Sequence, residues 1–221
     1  MRIVAWNIRA GGGERVGRIS RYLERWAPDA VVLSEFRATP PSLELARSLA
    51  SHGLSHQCTS ASRRNPRANA LLVAARWPVS PLRLRAQPRE PGRWLLVSVN
   101  APRPLLLGAM HVPNRVTGRK YLFLDSVLAC ARRWRLGPAL FLGDTNSGRR
   151  WLDAFRHLRA EARAYTWYSP NGQNGFRIDQ AFVNAALLER LRDAAHVWAG
   201  TRRGRKGAPS DHAALLVDFH E

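Results

Sequence analysis

The chain has 221 residues, of which 35 are Lys or Arg and only 16 are Asp or Glu, so its formal net charge is +19. A hydrophobic content of 45% with 8 Trp is typical of a packed globular core and excludes a disordered chain. No apolar run approaches the roughly 18 residues of a membrane span, so we expect one domain, residues 1–221, without membrane association.

Strand-like segments recur along the chain, and several are rich in Val, Ile and Leu without alternation, as is typical of strands buried on both faces. The predicted strands are 2–7, 30–34, 69–75, 94–99, 105–110, 139–142, 176–183, 195–199 and 213–219. Apolar periodicity predicts helices over 14–26 and 118–134 and shorter ones over 42–51, 149–158 and 185–193. Because 94–99 and 105–110 follow each other without a helix, we expect mixed sheets with helices outside.

Cysteine usage and the N-terminal segment bear on the compartment. Cys58 and Cys130 show neither a metal-binding spacing nor a disulfide framework, so we expect both to be small core residues in a reducing cytoplasm. The apolar stretch within residues 1–7 is too short for a signal peptide. These features predict a cytoplasmic protein.

The charge balance predicts a polyanionic partner, because a field of this sign attracts phosphate chains and releases their counterions. All but two of the basic residues are Arg, which also fits a G+C-rich genome; that bias explains Arg over Lys but not the shortage of acids. The basic loop 201–207 runs directly into Ser210-Asp211-His212. We therefore expect this loop to contact a phosphate backbone, with Arg9 and the loop 62–67 adding to the same rim.

Four carboxylates stand at the edges of apolar runs: Glu35, Asp144, Asp179 and Asp211. Strand ends gather at one edge of a sheet, so residues far apart in sequence can meet there. Clustered carboxylates repel each other unless protons or a cation neutralise them. The pattern predicts a divalent metal.

Each candidate also has an ordinary structural explanation when it is taken alone. A strand-end Asn7 is commonly a turn former, Gly143-Asp144-Thr145-Asn146 can form an Asx turn, and His111 can be a satisfied core histidine. A nucleophilic triad within Ser210-Asp211-His212 is disfavoured, because adjacent side chains cannot converge and no nucleophile elbow precedes them. His212 needs a partner that fixes its tautomer, and Asp179 is a candidate.

Six short motifs, taken together and in order, resemble the endonuclease/exonuclease/phosphatase superfamily, which includes DNase I-like and exonuclease III-like nucleases. They are Trp6-Asn7-Ile8, Leu33-Ser34-Glu35, Met110-His111-Val112-Pro113-Asn114, Gly143-Asp144-Thr145-Asn146, Arg177-Ile178-Asp179 and Ser210-Asp211-His212. The resemblance implies an α/β (α+β) fold: a four-layer sandwich of two packed mixed β-sheets flanked by helices, with the site at one edge.

The resemblance also implies a role for each matched residue. Glu35 would be the principal ligand of Mg²⁺ (or Mn²⁺), with Asn7 beside it and Asp211 helping to hold the metal. Asp144 would activate the attacking water, which Asn146 would hold together with the phosphate. His212, supported by Asp179, would bind the phosphoryl oxygens, and His111 would protonate the leaving oxygen as in DNase I-like members.

Two departures concern the substrate. Arg9 stands where abasic-site nucleases usually carry an acid, and His111 where they usually carry Tyr. Conversely, Tyr165-Thr166-Trp167-Tyr168 followed by Gly175-Phe176 resembles the abasic-nuclease pattern, although these aromatic side chains can equally belong to the core. The expected substrate-contacting residues are Arg9, Asn114, Trp167, Phe176, Arg177, Arg203 and Arg205.

The first functional hypothesis is a divalent-metal-dependent phosphodiesterase that hydrolyses nucleic acid as a monomer, with a DNA endonuclease or exonuclease preferred. One alternative is a phosphatase or phosphodiesterase of the same superfamily that acts on a small or lipid phosphate. Another is a nucleic-acid-binding module without catalysis. The charge favours nucleic acid, no membrane-binding helix stands out, and the intact motif set argues against lost catalysis.

Overall fold

The computed structural model describes residues 1–114, 118–134, 136–145, 152–200 and 207–220. The first of its two large sheets has six strands. They are β1 (Arg2–Asn7), β2 (Ala30–Phe36), β3 (His56–Thr59), β4 (Ala70–Ala75), β12 (Leu191–Val197) and β13 (Ala214–Phe219). Their order is β12-β13-β1-β2-β4-β3, with β1 parallel to β2 and antiparallel to β13.

The second sheet has five strands in the order β11-β8-β7-β6-β5. They are β5 (Val79–Pro81), β6 (Trp94–Val99), β7 (Leu105–His111), β8 (Ala139–Asp144) and β11 (Asp179–Val183). β6 and β7 form the expected antiparallel hairpin, and β7 runs parallel to β8. A separate two-stranded ribbon consists of β9 (Trp167–Tyr168) and β10 (Gly175–Phe176).

Helices cover the outer faces of both sheets. A single 3₁₀ turn at Gly13–Arg15 leads into the first helix. The helices are α1 (Val16–Trp26), α2 (Pro40–Ser51), α3 (Lys120–Arg133), α4 (Ala154–Leu158) and α5 (Ala185–Leu188).

Three apolar clusters define the layers. Alternate residues of β1, such as Val4 and Trp6, pack outward against α1 and α2, whereas Ile3 and Ala5 point into a core shared with the second sheet. α3 packs on the far face of the second sheet through Phe123 and its neighbours. The order is therefore helices, sheet, sheet, helix, which confirms the predicted four-layer sandwich.

Several predicted boundaries are wrong, and each has a physical reason. Residues 176–183 do not form one strand, because Phe176 ends the ribbon and Asp179 begins β11 in the second sheet. The helix predicted to reach residue 193 ends at Leu188, since the following segment pairs along β13 instead. The strand predicted to end at residue 34 continues to Phe36 around a bulge at Glu35. β3, β5 and β9 were not predicted, being short and little buried.

Both cysteines are free thiols, Cys130 on the buried face of α3 and Cys58 half-buried on β3. Burial raises the pKa of the Cys130 thiol to about 11, so it stays protonated. Within the described ranges, no helix combines the length and the apolar character needed to cross a bilayer.

Candidate active site

Three polar residues lie side by side where strands of the second sheet end or begin. His111 is the last residue of β7, Asp144 the last of β8 and Asp179 the first of β11. In the strand register His111 pairs with Asp144, and Asp144 pairs with Asp179. Gly143 makes this possible, because its φ is 137° and a Cβ there would overlap the Met110 carbonyl oxygen.

The first sheet contributes three more residues to the same edge. Asn7 ends β1, His212 lies two residues before β13, and Glu35 lies on β2 between the shifted registers of Ser34 and Phe36. At this bulge Glu35 has a φ of 58°, an uncommon conformation for a residue with a side chain. A bulge redirects a side chain, which explains how a residue within a buried strand reaches the edge.

The amide of Asn7 joins the two sheets. Its Nδ2 donates to Glu35 Oε1 and to Asp144 Oδ2, each at 3.2 Å. Its Oδ1 accepts the backbone N–H of Arg9 at 2.9 Å, which fixes the orientation of the amide. Two carboxylates from different sheets are thereby held near each other, an arrangement that a cation would stabilise further.

A backbone loop holds Glu35 in its charged form. The N–H of Ala10 donates to Glu35 Oε2 at 2.7 Å, and the N–H of Gly11 donates to the Glu35 carbonyl at 2.7 Å. The loop turns through consecutive positive φ angles, from 52° at Arg9 to 78° at Gly12, which explains its run of glycines. Burial alone would raise the pKa of Glu35, but the Ala10 N–H and the Asn7 amide lower it.

His212 is a buried cation. Burial alone would lower its pKa, but the Asp179 carboxylate, with smaller contributions from Asp144 and Asp211, raises the pKa of His212 to about 10. His212 Nδ1 donates to Asp179 Oδ2 at 2.9 Å, as the sequence predicted. The Trp6 indole N–H donates to the His212 carbonyl at 3.0 Å, so the backbone of this residue is fixed as well.

His111 differs from His212 in charge. Burial and the guanidinium of Arg93 lower the pKa of His111 to about 4, so its imidazole is neutral near pH 7. Its Nε2 lies 3.7 Å from Asp144 Oδ2, and His212 Nε2 lies 3.9 Å from the same oxygen. The Nδ1 of His111 finds no hydrogen-bond partner among the described residues. Asp144 thus faces one neutral and one cationic ring.

Metal-binding capacity is present in this cluster. Ligand atoms of Asp144, Asp179 and His212 lie within 4.8 Å of one another, so this group could hold a metal ion. Asp211 is half-buried beside His212, and its charge acts on both His212 and Arg15. Glu35 and Asp144 add the two carboxylates bridged by Asn7. The site edge is therefore rich in hard oxygen donors, the ligand type that Mg²⁺ prefers.

Two predicted substrate-contacting aromatics lie against this cluster. The ring of Trp167 lies 6.5 Å from that of His212 and 5.9 Å from that of Phe176, measured between centroids. Phe176 is 46% exposed, so it is not a core residue. We call Trp167 and Phe176 the aromatic wall of the site.

The other residues expected to contact the substrate or the water differ in where the structure places them. Arg177 is only 12% exposed and pairs with Asp153 Oδ2 at 2.5 Å, while its guanidinium lies over the Phe155 ring. This ion pair holds Arg177 at the start of α4, and the substrate contact expected for Arg177 stays a prediction. Arg9 and Asn114 are exposed next to Asn7 and His111. Asn146, Arg203 and Arg205 lie outside the described residues.

Thr166 was not predicted as a site residue, yet it joins three segments of the site. Its hydroxyl accepts the N–H groups of Ile178 at 3.0 Å and Asp179 at 3.1 Å. Its carbonyl accepts the Ala213 N–H at 2.8 Å, directly after His212. The only sequence signal was its place between Tyr165 and Trp167 in the aromatic motif, and a strand Thr is too common for that to suffice.

Replacing Thr166 by Val is expected to destabilise the fold, because an isosteric apolar side chain leaves two buried N–H donors unpaired. Each such donor costs about 1–3 kcal/mol, so the free energy of unfolding in urea should fall by at least that amount. Thr59→Val is the matched control, since Thr59 is exposed on β3 and its loss should cost less than about 1 kcal/mol. Equal losses in both variants would contradict this account of Thr166.

Comparison with solved structures finds other proteins that share this fold. A 3' phosphatase, NExo, from Neisseria bound to a product DNA hairpin superposes with a TM-score of 0.79 at 20% identity, covering 100% of both chains. An AP endonuclease from Archaeoglobus fulgidus gives 0.78 at 17% identity over 99% of each chain. A humanized D. rerio TDP2 gives 0.76 at 19% identity, covering 100% of this chain and 99% of the other. At these identities the likeness establishes the fold.

Sequence comparison is more specific than the comparison of folds, because it identifies the family. No curated protein sequence matches the chain significantly. The model of the Endonuclease/Exonuclease/phosphatase family, however, matches residues 4–212, which include every site residue described above. The chain therefore belongs to the Endonuclease/Exonuclease/phosphatase family, as its ordered motifs predicted.

Proposed function

We propose that the chain is a divalent-metal-dependent phosphodiesterase that hydrolyses nucleic acid, with DNA as its main substrate. The observation that carries this proposal is the pairing of two charge types at one edge. Carboxylates bridged by Asn7 lie beside the buried His212 cation. Carboxylates suit a metal and an attacking water, whereas the cation suits a phosphoryl oxygen.

The donors around Glu35 fit Mg²⁺ or Mn²⁺. Each Glu35 oxygen accepts one hydrogen bond and retains lone pairs, the Asn7 amide contacts it, and the charges of Glu35 and Asp211 both act on Arg15. We assign the metal to Glu35 and Asp211 with Asn7 beside them. His212 is instead assigned to a phosphoryl oxygen, because Asp179 occupies its Nδ1 and supports its charged form. When bound, the metal supplies charge neutralisation for a phosphate oxygen.

The remaining residues orient the reacting groups and transfer protons. Asp144 accepts a proton from the attacking water, since its buried carboxylate has an oxygen facing the site. His212, fixed by Asp179, donates a hydrogen bond from Nε2 to the phosphoryl oxygen as negative charge develops there. His111, whose ring is neutral near pH 7, donates a hydrogen bond from a ring N–H to the leaving oxygen, and that oxygen takes its proton from solvent water. Asn146 helps to hold the attacking water and the phosphate.

Nucleic acid is the preferred substrate for two reasons. The net charge of +19 favours a phosphate chain over a single phosphate. The aromatic wall offers exposed ring surface beside His212, on which a base or sugar can stack. Arg9, Asn114, Arg203 and Arg205 contribute to phosphate contact around the site, and the enzyme acts as a monomer.

Glu35→Gln is expected to weaken metal binding and to lower hydrolysis at low Mg²⁺ by about 10–100-fold, because the substituted amide keeps the shape but loses the charge. Purified protein is offered plasmid, an abasic oligonucleotide, single-stranded RNA and inositol phosphates, with Mg²⁺, Mn²⁺ or a chelator. We expect the protein to hydrolyse DNA and to need a divalent metal for it. Excess metal is expected to restore part of the hydrolysis in Glu35→Gln.

Glu44→Gln is the matched control, because Glu44 is exposed on α2 away from the site residues. Turnover of inositol phosphate alone would favour a small-phosphate enzyme of the same family. DNA binding with no hydrolysis under any metal would favour a binding module. Full activity in the presence of a chelator would refute the metal assignment.

A further inference from the structure

A basic groove lies on the surface of α1, away from the catalytic cluster. It has a volume of about 250 Å³ and is lined by Arg18, Arg21, Tyr22 and Arg25. We call it the α1 groove. Its three arginines recur at a spacing of three and four residues, which places them on one face of the helix.

The charges of the α1 groove are not neutralised within the described part of the chain. None of the three guanidinium groups pairs with a carboxylate there. The acid of the same helix, Glu24, faces His52 instead, at 3.6 Å. Three like charges around one cavity repel each other, so an anion that spans them would be stabilised.

The helix that carries the groove also contacts segments that carry active-site residues. Arg15, at the start of α1, donates to the Pro209 carbonyl at 2.6 Å and to the Arg9 carbonyl. Arg18, in the groove itself, donates to the Gly207 carbonyl. Pro209 precedes Ser210, Asp211 and His212, and Arg9 follows Asn7. Two segments that carry site residues therefore touch the same helix that carries the groove.

We propose that the α1 groove binds the phosphate backbone of a polynucleotide at a distance from the bond that is cleaved. The inference rests on the proposed nuclease function and adds a second contact surface to it. Arg18 and Arg25 are seven residues apart, or about 10 Å along a helix. Along the axis of a duplex, where each strand carries one phosphate per roughly 3.4 Å, that span covers about three phosphates of one strand. A single phosphate would leave part of the groove unfilled.

The test is a salt titration of binding with the double variant Arg21→Gln/Arg25→Gln. Both side chains are exposed, and neither holds another segment, as Arg18 does. Binding of single-stranded DNA is measured by fluorescence anisotropy in a chelator, with ligands of about 4 and about 30 nucleotides. For the long ligand, the slope of log K against log salt is expected to shrink by about 1.4, because two phosphate contacts are lost at about 0.7 each. The short ligand should bind the variant as it binds the wild type.

The matched control is Arg132→Gln/Arg133→Gln, which removes the same charge from exposed positions on α3 in the opposite outer layer. If both double variants lose the same slope, the effect is one of overall charge and the groove proposal fails. An equal loss for the short ligand would also overturn it. Hydrolysis of the short ligand with Mg²⁺ tests the proposed function separately, because it should be unchanged in the groove variant.

Discussion

His212→Gln is expected to lower the rate of DNA hydrolysis by about 10²–10⁴-fold without preventing substrate binding. His212 is a buried cation whose Nδ1 is held by Asp179, so its Nε2–H is aimed without the need to reorient. Gln supplies a hydrogen-bond donor but no charge. Single-turnover kinetics with Mg²⁺ measure the chemical step, and His52→Gln, an exposed histidine paired with Glu24, is the control.

The same residue gives a dependence on pH whose sign is fixed by the Asp179 contact. The folded pKa of His212 is about 10, above its ordinary value of 6.5, so the stabilisation from this pair is complete below pH 6.5. This stabilisation is lost as pH rises from 6.5 to 10, whereas activity should fall only near pH 10, where His212 of the folded protein loses its proton. Asp179→Asn removes the main charge that raises the pKa, so both changes should move to lower pH.

Two measurements distinguish the effects of His212 protonation from unfolding of the protein. Urea unfolding across this pH range reports the stability change, and NMR titration of the His212 ring reports its protonation directly. An unchanged His212 titration in Asp179→Asn, or turnover in His212→Gln within about tenfold of wild type, would contradict the assigned role.

Asp144→Asn is expected to lower hydrolysis by a comparable factor of about 10²–10⁴, because the substituted amide cannot accept the proton of the attacking water. Asp144 is 4% exposed, and one of its oxygens faces Asn7, His111 and His212. The substitution preserves shape, so the strand pairing with His111 and Asp179 should remain. Removing a negative charge near the phosphate should leave DNA affinity equal or tighter.

Single-turnover rates and equilibrium binding in a chelator separate these two effects. Asp125→Asn on the exposed face of α3 removes the same charge elsewhere and should leave both unchanged. Since Asp144 also helps to raise the pKa of His212, a lower His212 pKa in Asp144→Asn is a second expected result. If Asp144→Asn kept its rate but lost affinity, the residue would bind substrate and would not activate water.

The sequence predicted the site better than the boundaries around it. His111 and Asp144 follow apolar runs, and the ends of parallel strands meet at the same edge of a sheet, so their proximity could be anticipated from pattern alone. The bulge at Glu35 could not, because it depends on the backbone loop that contacts it. A local apolar pattern indicates burial, but not where a chain leaves one sheet for another.

Contacts between segments that are distant in sequence were the second feature that the sequence did not predict. Arg177 was predicted at the substrate because it sits in a site motif, yet Asp153, 24 positions away in sequence, holds it in a buried pair. Thr166 was overlooked for the converse reason, since its importance lies in partners that are remote in sequence. Neither kind of contact has a periodic signature.

The pairing of β1 with β13 has a consequence for how the protein is made. Asn7 lies on β1, which is synthesised before β13, and His212 lies two residues before β13, the strand that pairs with β1. A ribosome-bound chain lacking β13 would thus carry carboxylates without their cationic partner. The nascent chain is accordingly expected to lack the proposed activity until β13 has emerged and paired with β1.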